Sequence, residues 1–140
     1  MRVFFDTNVI VDIIEQRELF FKHSSAVFLM AVNGQIEGLI GAGSITDLYY
    51  ITRRSLKDAT LALNSIIDIL KSLTLVDTTA QSIWEAMSLN FADFEDAVIT
   101  VSAQREKVDY IITRNAKDFG TSPIPAISPD DFLNMMATLR

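Results

Sequence analysis

Val3-Phe4-Phe5-Asp6-Thr7-Asn8-Val9-Ile10-Val11-Asp12-Ile13-Ile14 changes its periodicity at a single acidic residue. The apolar run Val3-Phe4-Phe5 reads as a short strand that ends abruptly at Asp6, and Val9, Ile10, Ile13 and Ile14 then recur at helical spacing. The same alternation continues outward. A second helical stretch through Val27, Phe28, Ala31 and Val32 stops at Asn33-Gly34, ahead of Gly38-Leu39-Ile40-Gly41, a buried strand. Ser44 is placed to cap a third helix that begins around Leu48, Tyr49 and Ile51, and periodic apolar residues from Leu61 to Leu70 lead to a strand over Leu73 to Val76. Thr79 opens a helix through Ile83, Trp84 and Met87; Asp93 opens another; Tyr110-Ile111-Ile112 is a compact β-rich run. After Pro123 and Pro125, a short strand at Ala126-Ile127 and a helix from Pro129 to about Leu139 complete the order.

Strands separated by helices require right-handed crossovers and a parallel sheet covered on both faces. The expected fold is α/β, a three-layer α/β/α sandwich with a central parallel sheet of four to five strands. No repeat, low-complexity tract or linker divides the sequence, so residues 1–140 are expected to form one domain.

Composition narrows the chemistry. Hydrophobic residues make up 49% of the chain, yet no apolar run approaches the ~18 residues of a membrane span. Asp6, Asn8 and Asp12 interrupt the segment that a secretory signal would need, so a cytoplasmic location is expected. With no cysteine and one histidine, any metal must be held by oxygen ligands or His23, which points to Mg²⁺ or Mn²⁺. His23 has no partner at ligand spacing and is assigned no catalytic role. A formal charge of −6 excludes a general phosphate-binding surface, so a polyanion has to be held locally or bridged by metal.

In open parallel sheets the binding crevice lies outside the carboxyl ends of the strands. Asp6 follows the first strand, Asp47 falls in the first turn after the second, and Asn115 and Asp118 follow Tyr110-Ile112. Ser44-x-x-Asp47, Asp93-x-x-Asp96 and Asn115-x-x-Asp118 read equally as helix caps followed by acids that favour the helix dipole. Asp96 stands apart, because its helix carries Phe94, Ala97, Val98, Ile99, Val101 and Ala103 and is expected to be buried near its start. Asp93 and Asp96 lie about 60° apart on the helical wheel, away from the Phe94/Val98/Val101 stripe. Carboxylates gathered in one crevice repel one another unless a cation neutralises them, which predicts a metal. Arg53-Arg54 with Lys57, and Arg114 with Lys117, are basic groups that can contact flanking phosphates or remain solvated. Tyr49, Tyr50 and Trp84 read as core or interface packing rather than base-stacking platforms.

Phe5-Asp6-Thr7-Asn8-Val9, Ile45-Thr46-Asp47-Leu48, Asp93-Phe94-Glu95-Asp96-Ala97 and Ile112-Thr113-Arg114-Asn115-Ala116-Lys117-Asp118-Phe119 together resemble, in order and spacing, the PIN-domain ribonucleases. The resemblance implies a divalent-metal-dependent endoribonuclease that hydrolyses RNA phosphodiesters, with Mg²⁺ or Mn²⁺ at the mouth of the sheet. It also implies the toxin of a toxin–antitoxin pair, with an antitoxin partner and a homodimeric state. By the same resemblance Asp6 and Asp96 are the principal metal ligands, Asp47 the third acid and Asp118 a fourth. Thr7, Asn8, Asp93, Thr113 and Asn115 support the site, and Arg114, Lys117 and Arg53 are candidate phosphate contacts. Two departures stand out. Asp47 occupies a position where the family often has the longer Glu, which leaves the metal count open, and the fourth role falls to Asp118 or to the neutral Asn115.

Two other readings compete. A phosphohydrolase or phosphoacceptor domain also uses an aspartate after its first strand, but Asp6-Thr7-Asn8 is not Asp-x-Asp and no acid directly ends the Leu39-Ile40 strand. A non-catalytic module that keeps the fold draws its weight from the short acid at Asp47.

Overall fold

A computed structural model of the chain describes residues 1–139. Its elements run β1 (Arg2–Phe5), α1 (Thr7–Ile14), α2 (Phe21–Val32), β2 (Glu37–Gly41), α3 (Ile45–Leu56), α4 (Ala59–Leu70), β3 (Thr74–Val76), α5 (Ala80–Met87), α6 (Phe94–Arg105), β4 (Tyr110–Ile112), β5 (Ala126–Ile127) and α7 (Pro129–Thr138), with 3₁₀ turns at Ala42–Ser44 and Ala116–Phe119. The five strands pair in parallel in the order β3-β2-β1-β4-β5. This is the expected α/β sandwich with five strands.

The period of two along each strand distributes the core between the two faces. Val3, Phe5, Ile40 and Ile112 point to one side, where they meet Val9 and Ile10 of α1, Val27 of α2, Leu48 of α3, Ile66 of α4 and Phe132 of α7. Phe4, Leu39 and Ile111 point to the other and pack on Ile99 and Ala103 of α6. A smaller cluster of Ala86, Ala97 and Val101 joins α5 to α6. The chain fills one half of the sheet through β2 and β3 and then crosses to the far side of β1 for β4. The carboxyl ends of β1 and β4 therefore flank the switch point, where an open sheet leaves its crevice.

Gly38 allows this packing on β2. A Cβ there would lie 2.6 Å from Leu73 Cδ2 and 2.8 Å from Phe5 Cε2, both within the core. Gly38→Ala is expected to cost about 1–3 kcal/mol through overpacking. A thermal melt should show a fall of several degrees in Tm, and an unchanged Tm would mean that Leu73 and Phe5 have room to yield.

Local chemistry sets most boundaries. Asp58, Thr79, Asp93 and Ser128 each accept a hydrogen bond from the backbone N–H three residues on, capping α4, α5, α6 and α7. Gly34, with φ +73°, terminates α2 as Asn33-Gly34 predicts.

Two expectations are corrected. Ser44 does not cap α3, because the chain enters the helix from a 3₁₀ turn and Ser44 already has right-handed helical angles, so its buried hydroxyl makes no cap bond. The start of α6 is not buried: Phe94 is 49% exposed, the first buried residue is Ala97, packed with Ala86 of α5, and continuous burial runs from Ile99 to Ala103. Of the core-or-interface alternatives for the three aromatics, Tyr49 packs against the core, whereas Trp84 and Tyr50 are 72% and 60% exposed, which leaves them the interface alternative. His23 is half-exposed and lies 3.7 Å from Asp130, across the gap between α2 and α7. Among the described residues, no helix is long and apolar enough to cross a membrane.

Candidate active site

A cleft of about 250 Å³ lies at the switch point and gathers acids from three parts of the chain: Asp6 after β1, Asp93, Glu95 and Asp96 at the start of α6, and Asp118 with Asn115 after β4. Asp6 continues the ladder beyond β1, its backbone N–H donating to the Ile112 carbonyl at 2.9 Å. Although it stands at the N-cap position of α1, its carboxylate makes no cap bond. Instead the Thr113 hydroxyl donates to Asp6 Oδ2 at 2.8 Å while accepting from the Asn115 N–H at 3.1 Å. Thr113 thus fixes the orientation of a buried carboxylate. Asn8 Oδ1 accepts from the Arg114 N–H at 3.4 Å, tying the start of α1 to the same loop. Asp93 has its carboxylate on the Asp96 N–H (3.1 Å), so its capping reading holds even though it also lines the cleft.

Burial and crowding raise the proton affinity of the two central acids. Desolvation, reinforced by Glu95 and Asp93, pushes Asp6 up to about 6 against the opposing hydrogen bond from Thr113. Desolvation, reinforced by Asp6, Asp93, Asp118 and Glu95, pushes Asp96 up to about 7. Both values lie above the ordinary carboxylate range, so between that range and about 7 the folded protein binds more protons than the unfolded chain. Its stability without metal therefore falls as pH rises through this window. A melt in EDTA should give a Tm several degrees higher at pH 5 than at pH 8, with a flatter profile for Asp96→Asn. A Tm that climbs steadily from pH 5 to 8 would contradict the crowding.

The cleft also has a cationic wall. Asp12, in the apolar run of α1, is fully buried, and Arg114 Nε stands 2.9 Å from its Oδ2 and Arg17 3.6 Å from its Oδ1. The 2.9 Å approach is an ion pair without hydrogen-bond alignment. Burial raises the Asp12 pKa, and Arg114 and then Arg17 oppose it. Gln16, with φ +52°, turns the chain so that the Arg17 N–H reaches the Asp12 carbonyl at 3.1 Å, and the Arg17 guanidinium also pairs with Glu15 at 2.9 Å. The Arg114 guanidinium lies 4.4 Å above the Phe20 ring.

Thr7, Asn8, Asp93, Asp96, Arg114, Asn115 and Asp118 thus line the cleft with Asp6, while Thr113 lies beneath it. Asp47 does not line it: it is exposed in the first turn of α3, one turn before Ile51, which does. Lys117 is exposed outside the lining, and Arg53 sits with Arg54 and Lys57 around a separate concavity. Sequence reasoning missed Asp12, Arg17, Glu95, Val11 and Ile51. The signal for Asp12 was an acid inside an apolar stripe, a setting that charged residues rarely occupy without a partner.

As for a cation, the donors present are carboxylate and amide oxygens, the set that hard divalent ions prefer. Among the described residues, no three Asp, Glu or His side chains converge closely enough to share an ion unaided. The fit is therefore one of donor chemistry and charge.

A parallel α/β sandwich whose switch point gathers several acids belongs to the class of open-sheet proteins that bind ligands outside the carboxyl ends of their strands. Within that class the chain belongs to the PIN domain family, whose model matches residues 2–117. It is 28% identical over 143 residues to Ribonuclease VapC1 of Aquifex aeolicus (strain VF5), covering 99% of this chain and 97% of that one. Among solved structures it is similar to a chain of the VapBC2 complex of Rickettsia felis bound to a promoter DNA fragment (TM-score 0.70, 20% identity, 91% of this chain and 98% of that one). It is also similar to a chain of the DNA-bound VapBC complex of Salmonella typhimurium (TM-score 0.72, 17% identity, 92% and 98%). At these identities the structures establish a shared fold.

Proposed function

We propose that this chain is an endoribonuclease dependent on Mg²⁺ or Mn²⁺, and the toxin of a toxin–antitoxin pair acting in the cytoplasm. The carrying observation is the convergence of Asp6, Asp96 and Asp118, from three separate segments, on one cleft with a cationic wall opposite. The name of the Aquifex relative, a ribonuclease, supports the RNA substrate, and likeness to a chain of a toxin–antitoxin complex from Klebsiella pneumoniae (TM-score 0.67, 18% identity) supports the antitoxin partner.

Asp6 and Asp96 would hold the cation, with Asp118 and the Asn115 amide completing the oxygen set and Asp47 acting from the rim. When bound, a divalent ion supplies Lewis acidity and neutralises charge that builds on the phosphoryl group. The chain's own residues supply placement. Thr113 keeps the Asp6 carboxylate turned into the cleft, and Asp93 fixes the first turn of α6 so that Asp96 faces it. Arg114 and Arg17 receive the phosphates beside the scissile bond. Lys117 and Arg53 contact more distant phosphates at most. A homodimer belongs to the same reading, supported by exposed apolar side chains such as Leu63 and Ile67 on α4 and Trp84 and Met87 on α5.

Incubation of a mixed RNA pool with purified protein in Mn²⁺, Mg²⁺ or EDTA tests this, with metal-dependent cutting as the expected result. The position of Asp47 outside the lining and the absence of a ready-made three-acid cage favour a second reading, a non-catalytic module of the same fold. That module would not cut RNA and would show no rise in Tm with Mn²⁺, whereas an occupied site stabilises by mass action.

A further inference from the structure

We propose that the apolar hollow beside the acidic cleft seats one unpaired RNA base, that of a nucleotide flanking the scissile phosphate, with Arg114 as the partition between base and phosphate; this rests on the nuclease reading above. The hollow, about 240 Å³, opens between the starts of α2 and α7, and Arg114 lines both it and the cleft. The two sides have opposite chemistry. Leu19, Phe20 and Pro129 give the hollow an apolar wall where the cleft has carboxylates. Leu19 is 84% exposed and the adjacent Phe20 is also exposed, two large apolar side chains left uncovered at the mouth of the site.

At the far end of the hollow, His23 Nε2 and Asp130 Oδ1 stand 3.7 Å apart, too far for a hydrogen bond, so both can turn to a ligand. Arg114 is held from two directions, by Asp12 at 2.9 Å and by the Phe20 ring at 4.4 Å.

A nucleotide has the same division. Its phosphate is anionic and takes metal or arginine, while its base, a few bonds away, has apolar faces and polar edges. Proteins read single-stranded RNA by stacking such bases on aromatic rings or guanidinium planes and by hydrogen-bonding their edges. The hollow is smaller than the ~300–1,000 Å³ of ordinary ligand pockets, which suits one base and excludes a duplex. Phe20, with Arg114 on one face of its ring, would stack the base on the other, and His23 and Asp130 would read its edge.

The test uses a single-stranded oligonucleotide carrying one 2-aminopurine, whose fluorescence drops when the base stacks, titrated into full-length Asp96→Asn protein with Mn²⁺. Stepping the label along the strand should find one position that is quenched. Phe20→Ala in that background should abolish the quench and weaken binding about ten- to a hundredfold, the range expected for one stacked base. Phe20→Tyr should restore both, and melts of each variant check that the fold is kept. In parallel, the ends of RNA cut by wild type should show a base preference at one flanking position, which His23→Ala flattens while cutting continues. Unchanged quenching in Phe20→Ala, or an unchanged preference in His23→Ala, overturns the base seat alone. Site-specific quenching without any metal-dependent cutting by wild type overturns the nuclease reading and keeps the seat. No binding of any oligonucleotide overturns both.

Discussion

Asp96→Asn is expected to lower metal-dependent RNA cutting by more than about a hundredfold, beyond the 10–100-fold that loss of an outer-shell support costs a metal site. Asp6→Asn should do the same. In EDTA at pH 8 both variants should melt at or above the wild-type temperature, because each removes a buried carboxylate that crowding makes costly to ionise. The combination is diagnostic, since a variant that merely damaged the fold would lose activity and Tm together. Thr113 keeps a hydrogen-bond acceptor in Asp6→Asn, as the amide oxygen can replace Oδ2. Asp47→Ala belongs in the same assay. From its exposed place beside the cleft it should cost less than about tenfold, and a loss as deep as that of Asp96→Asn would mean that α3 brings Asp47 into the site when substrate and metal bind. Retained cutting in Asp96→Asn would sink the assignment of the site.

The second large effect concerns stability. Arg114→Met should destabilise the protein by about 3 kcal/mol, the low end of the cost of leaving a buried charge without its partner. It leaves the fully buried Asp12 with only the longer Arg17 contact. For a chain of this size that is a fall of about 10 °C in Tm. Asp12→Leu should cost under about 1 kcal/mol, because the arginines it frees are partly exposed and reach water while an apolar side chain fills the core. Yet Asp12→Leu should still weaken RNA binding, having released the cationic wall. Equal Tm losses in the two variants would show that the pair is valued for packing rather than charge.

The order of elements was legible because each is local. Apolar runs of three to five residues between periodic helices, and caps such as Thr79, Asp93 and Ser128, act within a few residues of themselves. The opening Asp-Thr-Asn and the Thr-Arg-Asn-x-x-Asp-Phe segment carried the family resemblance, which the match over residues 2–117 bears out. Ser44 failed as a cap because its role depended on the preceding backbone, which a 3₁₀ turn had already wound. Phe94 was misplaced for a related reason: periodicity identifies an apolar stripe but not whether another layer covers it.

By itself, then, the sequence determined an α/β alternation of four to five strands and placed acids after β1, at the start of α6 and after β4, since strand and helix periods and cap chemistry are written in neighbouring residues. Only the tertiary structure decided which of those acids share a cleft. The switch between β1 and β4 brings Asp6, Asp96 and Asp118 together and leaves Asp47 at the edge and Arg53 in another concavity. Tertiary structure alone also paired Asp12 with Arg114, because an ion pair spanning about a hundred residues of chain arises from strand order and burial, neither of which a local window contains.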